Sequence, residues 1–265
     1  MNSRCYAQTR ANAHRRLLVN VITATNVIAH IDNLHHVFEG VSCLLAKEGI
    51  FVTEFPYLVD LIKKNEFDTI YHEHLSYFSL KPWIELISLY GFEIIGVQRL
   101  LIHGGSIRLI HRKKGHKSNK ALKTVKYLIS VEENYGLYSK KALVDFASRV
   151  ESLKLDLMKL LKDLGKKRKK IVGYGAAAKG NVLTNYFGIG TNILDYIVDS
   201  TPYKQGLFTP GVHIPVYGES RIAKDRPDYI LILAWNFADE IIEKEREFIK
   251  NGGKFIIPVP EPKII

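Results

Sequence analysis

Residues 70–79 read IYHEHLSYFS and place Tyr71, His72, Glu73 and His74 in succession, followed by Ser76, Tyr77 and Ser79. Two histidines around a glutamate, beside two tyrosines, are the residue types that move protons near neutral pH. A histidine is the natural general base, and a neighbouring carboxylate orients it or raises its basicity. Tyrosine and a second histidine are donors that stabilise a developing oxyanion. This suits proton abstraction from a carbonyl-bearing substrate, with a purely structural cluster as the alternative. If the segment is helical, Tyr71 and His74 share a face, and Asp68 or Thr69 is available as a cap. Metal binding is not expected, because a His-x-His pair lacks a third ligand and is too short for zincin spacing.

A second constellation lies in KIVGYGAAAKGN, residues 170–181. Gly173, Gly175 and Ala178 have GxGxxA spacing between a predicted strand and a predicted helix, the context of a nucleotide-binding turn. Free N–H groups at the helix start suit a diphosphate, and Lys179 adds positive charge. Asp199, at the end of the next strand, can accept a ribose or base hydrogen bond. The glycines are equally compatible with close packing of helix on strand, and the turn alone does not separate NAD from a sugar nucleotide.

The elements that must position these groups alternate between strand and helix. Apolar spacing predicts a strand from residue 20, a helix over 33–49 stopped by Gly49, and a strand over 50–56. A helix ending near Gly91 and two strands around an HGG turn follow. Residues 117–165 are rich in Lys, Leu and Glu and read as two helices separated near Gly136. Strand–helix alternation then resumes to the end, implying a parallel sheet with crossovers. The expected division is a partial α/β domain over 1–116, a helical connector over 117–165, and a complete α/β domain over 166–265.

The chain has 265 residues and a formal charge of +11, with basic clusters at 111–117 and 166–170. That balance favours anionic partners, although solvated basic faces are the plainer reading, and no zinc-finger or RNA-binding motif points to nucleic acid. No apolar run approaches membrane-spanning length, so no membrane association is expected. The Arg-rich start lacks a secretory pattern; an organelle transit peptide is the lesser alternative. Cys5 and Cys43 have no CxxC partner, so neither zinc nor a disulfide is expected, and a reducing cytoplasm fits.

The stretches ITATNVIAHIDN, FDTIYHEHLSY, GGSIRL, GYGAAAKGN, KQGLFTPGVHIPV and LAWNFADEI occur in order from about residue 20 to the C-terminus. Together they resemble the sugar C-methyltransferases that use S-adenosyl-L-methionine (SAM) to methylate a carbon beside a ketone in nucleotide-linked deoxysugars. The resemblance implies a partial class I methyltransferase (Rossmann-like) sheet and a C-terminal Rossmann-like domain. It implies that His74 is the general base, with Tyr71 and Glu73 around it. It places Asn26 and His30 beside SAM. For a nucleotide-diphosphate sugar it implies His72, Gly173, Gly175, Lys179, Asn181, Asp199 and Lys204. The family's cysteine-rich start, its acidic-glycine SAM fingerprint and the acid after its second strand have no counterpart here. The chain thus reads as an N-terminally shortened member: half of a split enzyme completed by a separate chain, a truncated reading frame, or a remnant that binds nucleotide sugars without catalysis. An NAD-dependent oxidoreductase is the weakest alternative, because nothing resembles a Tyr-x-x-x-Lys pair.

Overall fold

A computed structural model describes residues 18–115 and 120–265. The Arg-rich start with Cys5, and residues 116–119, where the sequence places the boundary between first domain and connector, lie outside the described residues. The chain divides into two compact units: residues 1–61 with 72–142, and residues 62–71 with 143–265.

The first unit runs β1 (Val19–Thr25), α1 (Leu34–Leu44), β2 (Leu45–Pro56), α2 (Leu58–Lys63, shared with the second unit), α3 (Leu80–Ser88), β3 (Phe92–Leu100), β4 (Ser106–Lys113) and α4 (Lys120–Asn134). Its sheet has the order β1-β2-β4-β3. β1 and β2 are parallel, joined by the α1 crossover, while β4 is antiparallel to both neighbours. α1 starts at Asn33, whose side chain accepts the His36 N–H over 3.1 Å, and buries Phe38 and Val41 on one face. Behind the sheet, Trp83 packs against Phe38, Phe55 and Phe78 at centroid distances of 5.5, 4.6 and 5.0 Å. Such rings bury large apolar areas, and they dominate this core.

α1 ends five residues before Gly49, which itself lies within β2. Leu45 is fully buried and pairs with Val19. A Cβ on Gly49 would stand 3.0 Å from the Asn20 carbonyl oxygen, so close strand approach, not helix termination, calls for glycine. Cys43 on α1 is disulfide-bonded, a correction to the expectation of no disulfide.

The second unit contains α5 (Lys140–Lys166), β5 (Ile171–Tyr174), α6 (Ala178–Phe187), β6 (Ile197–Val198), β7 (Val216–Tyr217), α7 (Ser220–Asp225), β8 (Tyr229–Ile232), α8 (Ala238–Lys244), α9 (Arg246–Lys250), β9 (Lys254–Ile257) and β10 (Lys263–Ile264). Its sheet order is β10-β9-β8-β5-β6-β7, all parallel except β10. The chain leaves β5 to build β6 and β7 on one side, then returns to build β8 and β9 on the other, which makes β5/β8 the topological switch point. Val172, Val198, Ile230, Ile232 and Phe255 form the centre of its core. α5 buries Phe146, Val150, Leu153, Leu157, Leu161 and Leu164, one stripe at helical spacing.

Residues 62–71 pack with this unit. Phe67 stacks on Phe187 at 4.9 Å. The Arg149 guanidinium donates to the Ile62 carbonyl at 2.7 Å and to Asn65 Oδ1 at 3.0 Å. Among the described residues no helix is long and apolar enough to cross a membrane.

Candidate functional site

Residues 70–77 are not helical; Tyr71–Glu73 form a bend and turn after a 3-10 turn over Phe67–Thr69, and His74 follows in irregular backbone. The segment is fixed at its downstream end by a buried carboxylate on α4. Glu132 is fully buried and accepts the Leu80 N–H at 2.6 Å, the Lys81 N–H at 3.3 Å and the Tyr57 hydroxyl at 2.6 Å, with Tyr138 as a further donor. It thereby satisfies the first N–H groups of α3, which otherwise lack intrahelical partners. Burial, then the bond to Glu132, raises the Tyr57 phenol well above its ordinary range.

Upstream, within the second unit, Asp68 is fully buried and its Oδ2 accepts the Trp235 indole N–H at 2.6 Å. Burial lifts its carboxyl to about 6, against the opposing pull of Lys179. The peptide that carries the histidines therefore runs from one buried carboxylate, Asp68, to the helix that another, Glu132, caps.

Within the first unit, Asn26 and His30 follow the carboxyl end of β1. Asn26 has φ +52 and its N–H donates to the Glu54 carbonyl at 2.8 Å. The Leu75 and Ser76 N–H groups both donate to the Ala29 carbonyl, at 2.8 and 3.3 Å. Those bonds bring His74 against His30, with ring centroids 4.8 Å apart and planes inclined by 59°. Tyr77 meets His74 edge-on at 6.4 Å. His74 is half-buried, whereas His72 and Glu73 are exposed and only loosely paired, at 4.0 Å. A proton taken by His74 would thus have a second imidazole beside it. Asn26 Oδ1 is buried and accepts no hydrogen bond, an acceptor suited to an ammonium or hydroxyl donor. Among the described residues, no group of three or more His, Cys, Asp or Glu side chains is placed to hold a metal.

In the second unit, the glycine turn follows β5 at the switch point. Gly175 has φ +94, and a Cβ there would lie 2.8 Å from that of Ala234. Gly173 has the same kind of constraint, 2.7 Å from Ile197 Cγ1, so both glycines answer to packing whatever else they do. A cavity of about 340 Å3 opens here, lined by Gly175, Asp199, Thr201, Glu219, Glu240 and Lys244 among others. Asp199 accepts the Ala176 and Thr201 N–H groups, each at 2.8 Å, and pairs with Lys204 at 3.2 Å. Burial alone would raise its carboxyl, but the bonds from Thr201 and Lys204 outweigh that and hold it below the ordinary carboxylate value.

The sequence-predicted residues of the second unit do not all converge. Gly175 and Asp199 face the cavity, and Lys204 joins them through Asp199 and the Ala176 carbonyl, 2.9 Å away. Lys179 does not line the cavity. Its Nζ is buried without a hydrogen-bond partner, 4.9 Å from the centroid of the Trp235 ring. Asn181 sits on α6, its N–H closing the first helical turn onto the Ala177 carbonyl. No side chain caps α6, so the N–H groups at its start are available to an anion.

Asp68, Trp235, Glu132 and Tyr57 are the residues that sequence reasoning missed as positioning groups. Asp68 had the only signal, standing just ahead of the histidines. The fold and site define a Rossmann-like α/β protein with a histidine cluster in one unit and a glycine turn in the other.

Comparison with known proteins gives the family. Residues 101–260 match the C-methyltransferase C-terminal domain family, and residues 6–97 match a methyltransferase domain family. The C-methyltransferase NovU of Streptomyces niveus is 38% identical over 253 residues, which cover 96% of this chain and 60% of that protein. The chain therefore spans about three fifths of that relative's length. Among solved structures, the PH0226 protein from Pyrococcus horikoshii OT3 is 16% identical, with a TM-score of 0.31 over 41% of this chain and 64% of that one. The chain belongs to the C-methyltransferase family that the C-terminal domain defines.

Proposed function

We propose that this protein takes part in SAM-dependent methylation of a carbon beside a ketone in a nucleotide-linked deoxysugar, with His74 as the base. The observation that carries the reading is the half-buried His74 ring set against His30, after the carboxyl end of β1. In this reading His74 removes the proton alpha to the ketone. Tyr71 and His72 donate to the oxygen as it gains charge, which lowers the barrier, and Glu73 orients the histidines. Asn26, with its unmatched Oδ1, and His30 would hold SAM, which supplies an electrophilic methyl group when bound. The second unit anchors the nucleotide: Gly175 and the start of α6 face the diphosphate, and Asp199 accepts a hydroxyl. Because Asp199 already takes the Ala176 N–H, the anion is left to the N–H groups of α6.

The test is incubation of the purified chain, and of the chain with extract supplying a complementing partner, with a nucleoside-diphosphate ketosugar and methyl-labelled SAM. Label is expected on the carbon next to the ketone, and His74→Ala should lower turnover by about 10²–10⁴-fold. Unchanged turnover in His74→Ala would remove it as base. Tight nucleotide-sugar binding without label transfer under either condition would support the non-catalytic reading.

A further inference from the structure

At the amino end of β5, opposite the glycine turn, the second unit has a cavity of about 950 Å3. Five cationic side chains and one carboxylate, Asp195, line it. Lys166, Lys169 and Lys170 are compensated by Asp163, Asp228 and Asp225 at 3.2, 2.8 and 3.7 Å. Lys162 and Arg168 make no ion pair with any described residue, so the uncompensated charge faces one concave space.

The backbone around it is unusual. α5 closes with the Arg168 N–H on the Gly165 carbonyl and the Lys169 N–H on the Leu164 carbonyl. Arg168 itself has φ +54, the left-handed position where helix ends favour glycine. The glycine stands instead at 165, inside α5, where a Cβ would meet nothing within 4 Å. Helix stability disfavours both choices. Both residues line the cavity: one contributes a guanidinium, the other leaves room. Met158, Leu161 and Ile193 supply an apolar wall.

We propose that this cavity is a second ligand site, distinct from the glycine turn, that accepts a small phosphorylated organic anion. Phosphate oxygens sit between Lys162 and Arg168, where charge-assisted bonds are strongest, and the uncharged part lies on the apolar wall. The volume is within the range of small-molecule pockets. Nucleotide sites of such sheets lie at the carboxyl ends of the strands, so this site would serve regulation or a second anchor. The plainer account is that the cations only complement the carbonyl end of α5, and the two differ in what variants do.

The experiment is calorimetric and thermal-shift titration of the full chain with inorganic pyrophosphate, adenosine diphosphate and adenosine. Pyrophosphate and adenosine diphosphate should bind, the latter more tightly, and adenosine should bind at least about tenfold more weakly than its diphosphate. Lys162→Glu and Arg168→Gly should each weaken both anions by about tenfold, while Lys250→Glu, the same charge change on another face, should leave affinity unaltered. Arg168→Gly should also raise the unfolding temperature of the ligand-free protein, since glycine adopts the left-handed position freely. Failure of both anions to bind, or binding undiminished in Lys162→Glu and Arg168→Gly, overturns the proposal. Loss of binding in Gly175→Val with retention in those two variants would place the anion at the glycine turn instead.

Discussion

The Trp235 indole N–H reaches the buried Asp68 carboxylate over 2.6 Å, three residues before Tyr71. Burial raises Asp68 from 3.8 to about 6. A folded value above the unfolded one means that the fold prefers the protonated acid. The associated stability is complete below 3.8 and is lost as the pH rises through about 6. The second unit should therefore weaken by roughly 3 kcal/mol between about pH 4 and pH 7. Asp68→Asn, which keeps an acceptor for Trp235, should flatten that part of the profile. Hydrogen exchange of the β5 and β8 amides against pH measures it, and equal slopes in the two proteins would contradict the assignment.

His111 gives the first unit the opposite sign. It is fully buried on β4, its Nε2 3.0 Å from Thr53 Oγ1, and burial lowers its pKa from 6.5 to about 3. Its contribution is present above 6.5 and is lost as the pH falls towards 3. His111→Gln, which retains a partner for Thr53 and does not titrate, should make the acid limb of urea unfolding shallower. An acid limb as steep as that of the wild type would assign it to other groups.

Glu132 should be the most sensitive polar position of the first unit. Glu132→Ala leaves the Leu80 and Lys81 N–H groups and the Tyr57 hydroxyl without their acceptor, at a cost of about 3 kcal/mol or more. Glu132→Gln should lose less, since one carbonyl oxygen remains. Urea denaturation compares them. A loss under about 0.5 kcal/mol for the alanine variant would show that water replaces the carboxylate without penalty.

At the glycine turn, a nucleoside-diphosphate sugar should bind more tightly than the free sugar, and salt should weaken it. Lys204→Ala should lower that affinity, because the Lys204 ammonium is held at the turn by the Ala176 carbonyl and Asp199. Lys179→Ala should act mainly on stability, because its ammonium is buried against Trp235. Isothermal titration beside thermal unfolding separates the two effects. A larger affinity loss for Lys179→Ala would reverse the assignment.

The α/β texture was legible because apolar periodicity reports which face each element buries. The two helices around Gly136 and the strands flanking the HGG turn follow from it directly. The end of α1 did not, because Gly49 carries the same one-letter signal whether it stops a helix or admits a neighbouring strand. His74 and Gly175 were legible as residue types in a suggestive order. The buried carboxylates that flank the histidine segment were not: Glu132, which caps α3, is 52 residues from Leu80 and Trp235 is 167 residues from Asp68, and only the fold brings such carboxylates to their donors. Lys179 shows the reverse. Its position in the turn suggested a phosphate contact, and its side chain turns inward instead.

Proton removal by His74 is the step on which the functional account depends, and it can be observed without methyl transfer. The protein, assayed alone and with any complementing chain, is incubated with a nucleoside-diphosphate ketosugar in deuterated water, and exchange at the carbon beside the ketone is followed by nuclear magnetic resonance. The account predicts enzyme-dependent exchange at that carbon, reduced by about 10²–10⁴-fold in His74→Ala, with nucleotide-sugar affinity preserved. Exchange at the wild-type rate in His74→Ala would contradict it and pass the role of base to another residue, Glu73 first.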